Sequence, residues 1–189
     1  MTRVQYYCAS SLDGYIAEAD DTIEWLTSYE GSYEGDDAAP ARGYDEFYAG
    51  VGALVMGSVT YEFILDHVAR DGGWPYAGKP CWILSSRPLT VPDDEGADVR
   101  IVDAPVGELH DEIVVAAGEG NVWVVGGGNV ASQYADAGLL DEVLVTVVPV
   151  VLGDGKPLFD RRLPGGPMQL TGAIPRASGM VELRYEIRR

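Results

Sequence analysis

Short apolar runs rich in Val, Ile and Tyr alternate along the chain with segments in which apolar residues recur at helical spacing. Five of these runs predict buried strands, and they are Val4–Ala9, Ala53–Met56, Cys81–Leu84, Val122–Val125 and Glu142–Val148. Strands that alternate with helices in this way are typical of a layered α/β domain.

Segments between these strands predict helices, and they are Ser58–Leu65, Val106–Ala117 and Asn129–Ala137. Gly138 stands where a glycine commonly ends a helix. Towards the C-terminus the helical pattern fades, and Met168–Ala173 and Val181–Ile187 predict an antiparallel pair of strands. No segment has the length and composition of a linker, so residues 1–189 are interpreted as a single domain.

Composition narrows the class of protein. The chain has 189 residues, of which 47% are hydrophobic, enough for one domain with a substantial core. A net charge of −17 makes nucleic acid and anionic membranes unfavourable partners. The N-terminus lacks the pattern of a secretory signal, and the longest apolar run, Val143–Leu152, is too short to span a bilayer. We therefore expect a soluble, cytoplasmic protein.

The basic residues of the chain are mostly arginines. Only two of the thirteen basic residues are lysines. An acidic, lysine-poor surface suits a salt-rich, halophilic cytoplasm, because salt screens the repulsion between carboxylates, and it equally fits an ordinary acidic enzyme.

Cys8 and Cys81 lie in strand-like runs without another Cys or a His at metal-ligand spacing, which predicts free thiols and no metal site.

Three predicted strands lead into segments rich in small and hydroxyl side chains, and they are Met56–Glu62, Leu84–Pro88 and Val125–Ala131. Such segments offer unpaired backbone N–H groups and a helix dipole to an anion. The third also satisfies the G-x-G-x-x-A pattern of a Rossmann domain, which needs an acid at the end of the next strand. That strand ends in Thr146–Pro149 without an acid, so the Rossmann interpretation fails and a phosphate site of another kind remains.

The order of these segments resembles the dihydrofolate reductases. Val124–Val130 is similar to their glycine segment, Val55–Glu62 to the segment that caps the cofactor phosphates, and Ile83–Pro88 to the one that holds the adenosine 2′-phosphate. Ser11–Ala17 and Pro149–Gly155 further resemble one subgroup, the reductase domain of riboflavin biosynthesis and its stand-alone relatives.

This resemblance covers nearly the whole chain and implies a three-layer α/β fold. In such a fold a central, mostly parallel, twisted sheet ends in an antiparallel C-terminal edge and carries helices on both faces. The resemblance also implies a homodimer, because the riboflavin reductases pair through strands late in the chain.

The resemblance implies NADPH as the cofactor. The implied contacts are backbone groups of Ala9 and Ile16 at the nicotinamide, then Gly57, Ser58, Thr60, Gly126, Gly127, Gly128, Asn129, Val130 and Ala131 around the phosphates, and Ser85, Ser86 and Arg87 at the 2′-phosphate. It also implies a cis peptide bond between Gly126 and Gly127. Ser58 stands where the family usually has arginine, which removes one cation from the phosphate site.

The implied activity is hydride transfer to a small heterocycle or its ribosylamino derivative. The first candidate is an aminopyrimidine or pteridine, as in the reduction of 5-amino-6-(5-phosphoribosylamino)uracil. The alternatives are a dihydrofolate reductase and an NADP(H)-binding regulator without turnover. An Asn-Pro pair that the riboflavin reductases carry after the threonine helix is absent here, which leaves the ribosyl-phosphate substrate open.

Candidate substrate-side residues follow from the same resemblance. Thr146 matches a substrate-side threonine, and Trp25 either covers the pocket or belongs to the core. The proton source is open: the segment before the Gly57 strand offers Asp45, Glu46 or neither, and the Ser-Leu-Asp-Gly motif offers Asp13. A solvated helix end is the alternative role for Glu46, and a turn former is the alternative role for Asp13.

Overall fold

The computed structural model describes residues 2–29, 43–68, 72–176 and 178–188. Its strands are β1 (Val4–Ser11), β2 (Tyr15–Ala17), β3 (Val51–Gly57), β4 (Pro80–Leu84), β5 (Asp98–Val102), β6 (Asn121–Gly126), β7 (Glu142–Val148), β8 (Lys156–Pro157), β9 (Gln169–Pro175) and β10 (Val181–Glu186). All seven predicted strands are therefore confirmed, within about two residues at each end. The sequence pattern missed β2, β5 and β8, since two of these are very short and β5 carries Asp98 and Arg100 at the sheet edge.

Eight of the strands form one sheet in the order β5-β4-β3-β6-β1-β7-β10-β9. The first six pair in parallel, whereas β10 runs antiparallel to β7 and β9 runs antiparallel to β10. The remaining strands, β2 and β8, form a separate antiparallel pair. This arrangement confirms the mostly parallel sheet with an antiparallel C-terminal edge.

The helices are α1 (Glu24–Thr27), α2 (Tyr44–Ala49), α3 (Ser58–Phe63), α4 (Val106–Ala117) and α5 (Gly128–Asp136). A π-helical turn, Ile64–Val68, continues α3, so the helix predicted over Ser58–Leu65 changes its hydrogen-bonding pattern near its end. Gly138 follows α5 with a φ of 69°, a conformation that suits glycine and ends the helix as expected.

Helices on both faces of the sheet complete three layers. On one face α4 and α5 bury Ile113 and Tyr134 against the strands. On the other face Tyr61 of α3 and an aromatic group around Trp123 cover β3 and β4. Both cysteines are free thiols, as predicted. Within the described residues no helix is long and apolar enough to cross a membrane.

The parallel topology explains why distant segments meet. The carboxyl ends of β1, β3, β4, β6 and β7 all lie at one edge of the sheet, and ligands of open α/β sheets bind outside that edge. The predicted phosphate-binding segments each follow one of these strand ends. This edge is therefore the expected position of a ligand site.

Candidate active site

A cavity of about 1280 Å³ opens at the carboxyl edge of the sheet. A typical pocket for one small ligand has roughly 300–1,000 Å³, so this cavity has room for two ligands side by side. It brings together the following predicted residues: Ala9, Ile16, Gly57, Ser58, Thr60, Gly126, Gly127, Gly128, Asn129, Val130 and Thr146. The other predicted residues lie outside its described lining: Asp13, Trp25, Glu46, Ser85, Ser86, Arg87 and Ala131.

One end of the cavity, which we call the glycine end, is built from the backbone of residues 57–60 and 126–130. The peptide bond between Gly126 and Gly127 is cis, as the resemblance implied. Gly127 is the N-cap of α5 and makes no side-chain cap hydrogen bond, so N–H groups in the first turn of α5 are left to donate to another acceptor. The positive end of the helix dipole therefore faces the cavity, which favours a phosphate.

The glycine end has the bare backbone that a nicotinamide dinucleotide requires. A Cβ added to Gly126 would lie only 3.0 Å from Thr60 Oγ1, so the glycine permits the close approach of α3. A Cβ added to Gly127 would lie 3.8 Å from Ile16 Cδ1, at ordinary contact distance, and would occupy cavity space. Bare backbone thus faces the cavity where a pyrophosphate needs close approach, and the residues fit the group.

The segment proposed for the adenosine 2′-phosphate lies beyond this lining. Arg87 forms a bidentate pair with Glu62 of α3, with 2.8 Å between Nη1 and Oε1 and a second contact between Nη2 and Oε2. The Ser85 hydroxyl accepts the Arg87 N–H at 3.1 Å and so closes a tight turn. Ser86 is exposed beside it. The arginine of the predicted site is therefore held by a carboxylate that a bound phosphate would have to replace.

Aromatic side chains form one wall of the cavity, and the sequence analysis did not identify them. Tyr7, Tyr44, Tyr76 and Trp123 line it. Phe47 of α2 packs behind them, with ring centroids 4.4 Å from Tyr7 and 5.4 Å from Trp123. Flat apolar faces of this kind suit a planar heterocycle. The alternating pattern of β1 and β6 contained a signal for Tyr7 and Trp123, but not for their meeting with α2.

The end of the cavity opposite the glycines, which we call the side-chain end, contains Thr146 and Arg176. Thr146 pairs in register with Ala9 on β1 and with Glu182 on β10. Burial, and next the negative charge of Glu182, raise the pKa of Tyr7. The Thr146 side chain lies near the Tyr7 hydroxyl and acts, less strongly, to lower the pKa of Tyr7. The phenol therefore stays protonated at neutral pH and available as a donor.

The two predicted acids take other positions. Asp13 accepts hydrogen bonds from the Ser11 hydroxyl at 2.7 Å and from the N–H groups of Leu152 and Gly153 at 3.1 and 2.7 Å. Its carboxylate thus ties the loop after β1 to the loop after β7, and the Ser11 bond, followed by the Gly153 bond, lowers its pKa. Glu46 is exposed on α2, outside the cavity lining.

Two further predicted residues are buried beside the cavity. Trp25 is 8% exposed and packs against Val148 and Met180, while Ile23 and Leu26 of the same segment line the cavity instead. Its indole N–H is buried without a hydrogen-bond acceptor among the described residues. Ala131 of α5 is fully buried in the core. Both therefore support the cavity from behind in this arrangement.

Known proteins share both sequence and fold with this chain. Residues 109–180 match the family model of the RibD C-terminal domain. The Bacillus subtilis protein YwjB is 33% identical over 153 residues, which are 81% of this chain and 80% of that protein. A Shewanella sp. PV-4 protein assigned to riboflavin biosynthesis is 26% identical over 100% of both chains, with a TM-score of 0.78.

A dihydrofolate reductase from Enterococcus faecalis, solved in complex with NADP(H), is 16% identical with a TM-score of 0.61. The match covers 97% of this chain and 95% of that one. At this identity the likeness bears on the fold alone.

Proposed function

The chain belongs to the RibD C-terminal domain family, which has the dihydrofolate reductase fold, and we propose that it is an NADPH-dependent reductase of a small heterocycle. The proposed acceptor is an aminopyrimidine or a pteridine, or its ribosylamino derivative. One observation carries this proposal: a single cavity joins bare glycine backbone, suited to a dinucleotide, to an aromatic wall, suited to a planar acceptor.

NADPH, when bound, supplies the hydride, so the protein's part is to bind, orient and exclude water. Residues 57–60 and 126–130 would hold the phosphates, and Ala9 and Ile16 would lie at the nicotinamide. Tyr7 lies two residues before Ala9 on β1, so both side chains project from the same face of the sheet. This shared face supports a position of the Tyr7 phenol near the proposed point of hydride transfer.

Tyr7 is proposed to hold the proton for the acceptor. Tyr7 lines the cavity, its hydroxyl lies near Thr146, and it stays protonated at neutral pH. A positioned phenol of this kind can donate a hydrogen bond to the nitrogen or oxygen that gains charge during reduction. The positions of Asp13 and Glu46 outside the cavity lining favour Tyr7 over either acid.

A protein that binds NADP(H) without turnover is the second candidate. The same positions of Asp13 and Glu46 favour it, because the cavity then lacks the predicted carboxylate proton donor within its described lining. A dihydrofolate reductase is the alternative substrate assignment within the reductase proposal.

These candidates can be separated by one series of measurements. NADPH is titrated against the fluorescence of the four tryptophans, of which Trp123 lines the cavity. NADPH oxidation is then followed with 5-amino-6-(5-phosphoribosylamino)uracil, 7,8-dihydropterin and 7,8-dihydrofolate. Quenching with turnover of one acceptor supports the reductase and names its class. Quenching without turnover of any acceptor favours the binding protein, and no quenching contradicts both.

We further propose a homodimer formed through the C-terminal edge of the sheet. β9 is the outermost strand there, and Met168 and Leu170 are 36% and 52% exposed. An exposed apolar edge strand is a favourable surface for pairing with a second copy. Light scattering at high salt, which screens the charge of −17 per chain, is expected to give twice the chain mass. A monomer under these conditions would contradict the proposal.

A further inference from the structure

A buried charged cluster lies behind the side-chain end of the cavity. Glu182 of β10 is 1% exposed, and each of its carboxylate oxygens accepts from a different arginine. Arg176 Nη2 lies 2.9 Å from Oε2, and Arg184 Nε lies 2.7 Å from Oε1. A buried carboxylate without such partners would be strongly unfavourable, so the three side chains form one structural unit.

The register of the sheet brings this unit to the cavity. Glu182 pairs with Thr146 on β7, and Thr146 pairs with Ala9 on β1. The three side chains form a row across three strands on one face of the sheet. Ala9 and Thr146 line the cavity, whereas Glu182 at the end of the row is covered by Arg176, which lines the cavity in its place.

These contacts orient the Arg176 guanidinium and occupy only part of its hydrogen-bonding capacity. A guanidinium has five N–H donors, and among the described residues one of them, on Nη2, bonds to the Glu182 side chain. The Arg176 side chain is 16% exposed and faces the cavity. A planar donor held in place in this way is suited to a carboxylate or a phosphate.

Other charged groups of the cavity lie towards the glycine end and have partners of their own. Lys156 lies 3.4 Å from Asp21, and Asp160 lies 2.9 Å from Arg161. The positions proposed for the cofactor phosphates are also at that end. An anion bound at Arg176 would therefore belong to the second ligand, the hydride acceptor.

We propose that Arg176 binds an oxyanion, a carboxylate or a phosphate, carried by the hydride acceptor, and that Glu182 is the positioning residue that holds Arg176. This inference rests on the proposed function for the identity of the ligand, and it narrows the acceptor to an anionic heterocycle. In a chain of net charge −17, a fixed guanidinium supplies the local attraction that an anionic acceptor needs.

The first test observes the arginine directly and needs no turnover. Protein labelled with ¹⁵N is titrated with inorganic phosphate and with acetate, with and without NADPH, at an ionic strength matched with sodium chloride. The Nε–H signal of Arg176 is assigned from its loss in Arg176→Gln. Arg100, whose exposed side chain pairs with Asp98 and Glu112, serves as the matched control.

We expect the Arg176 signal to shift in a saturable manner with one or both anions, beyond any change at Arg100. The anion with the larger effect distinguishes a phosphate from a carboxylate site. In Glu182→Gln the shift should become weaker, because the guanidinium is no longer held. An Arg176 signal that moves no more than that of Arg100 would overturn the proposal.

The second test compares acceptors that carry an anionic group with counterparts that lack it. The pairs are 5-amino-6-(5-phosphoribosylamino)uracil with and without its phosphate, and 7,8-dihydrofolate and 7,8-dihydropterin. Arg176→Gln is expected to raise KM or Kd about 10- to 100-fold for the anionic member that binds, with little change for its neutral counterpart. Glu182→Gln should raise the same KM with a smaller effect on kcat, and Arg100→Gln should change neither.

The outcomes separate this inference from the proposed function. An anion-dependent Arg176 signal without turnover of any acceptor supports the subsite and contradicts the reductase. Turnover in which Arg176→Gln affects charged and neutral acceptors equally supports the reductase and overturns the subsite. If NADPH quenches the tryptophan fluorescence of Arg176→Gln as it does that of the unmodified protein, the variant is folded.

Discussion

The two ends of the cavity differ in composition: one is built from backbone and the other from side chains. The glycine end consists of backbone at the start of α3 and α5, where two short contiguous segments supply most of the surface. The side-chain end is assembled from Tyr7, Thr146 and Arg176, which lie on separate parts of the chain and are held by Trp123, Glu182 and their neighbours. A backbone site tolerates variation in side chains, whereas a side-chain site depends on each residue.

This difference suggests a division of roles. Every dinucleotide presents the same pyrophosphate, so a backbone cradle suits a constant ligand. Acceptors differ in shape and charge, and side chains such as Arg176 can discriminate between them. Substitutions at the glycine end should therefore affect cofactor binding, and substitutions at the side-chain end should affect turnover and acceptor choice.

Gly127→Ala is expected to have the largest effect, a loss of NADPH binding at the glycine end without an effect on the side-chain end. Its Cβ would meet no atom closer than 3.8 Å, and its φ of −94° is open to alanine, so the fold should be retained. The methyl group would occupy the space of the pyrophosphate and weaken NADPH binding by about 100-fold or more, measured by tryptophan quenching.

A matched control for this variant is Gly107→Ala. Gly107 lies in α4 with nothing within 4 Å of an added Cβ, far from the cavity. This control should bind NADPH as the unmodified protein does. A Gly127→Ala protein with unchanged NADPH affinity would contradict the placement of the cofactor at the glycine end.

Tyr7→Phe is expected to affect the opposite end. Loss of a proton donor typically lowers kcat by about 100-fold or more, whereas the NADPH affinity should change little because the ring remains. Tyr48→Phe is the matched control, since Tyr48 packs in the same aromatic group, 6.3 Å from Trp123, but lies outside the cavity lining. Equal kcat values for the two variants would remove Tyr7 from the proposed mechanism.

The two ends also differ in how far the sequence predicts them. The segments around Gly57 and Gly126 were predictable because a strand followed by glycines and a helix is a local property of the chain. The meeting of Arg176 with Glu182 was not, because it depends on how β9 pairs with β10, and its place at the cavity depends on how β10 pairs with β7. Within β10, Glu182 reads as one more polar residue in an alternating strand, yet it is buried.

The roles of the candidate acids also depend on contacts between segments that are remote in sequence. Asp13 was open between a turn former and a substrate residue, and the choice depends on the approach of Leu152 and Gly153, which are remote in sequence. Tyr7 was hidden in a strand whose pattern indicates only which residues share a face. Local pattern thus predicts elements and backbone sites, and pairing register decides the side-chain constellations.

Arg87 and Glu62 allow a finer test of the proposed cofactor site beyond the glycine end, where a side chain is expected to contribute. We expect NADPH to bind more tightly than NADH, and Arg87→Ala to lower this preference about tenfold or more. Glu62→Gln should act in the opposite direction, because the carboxylate competes with a phosphate for the same guanidinium. Since exposed ion pairs contribute about 0–1 kcal/mol, its gain should not exceed about fivefold. Equal affinities for NADPH and NADH in the unmodified protein would contradict this assignment.

Asp13→Asn is expected to have the smallest effect, on the loops that border the cavity rather than on either end. The Ser11 and Gly153 hydrogen bonds lower the pKa of Asp13 in the folded protein, so the ionised form contributes stability above its ordinary pKa, near pH 4. That contribution is lost as the pH falls through the lowered pKa, where the protonated acid resembles asparagine. The difference in Tm between the unmodified protein and Asp13→Asn should therefore be small but measurable at pH 7 and should vanish under acidic conditions. A difference that stays constant from neutral to acidic pH would show that the carboxylate charge does not hold these loops together.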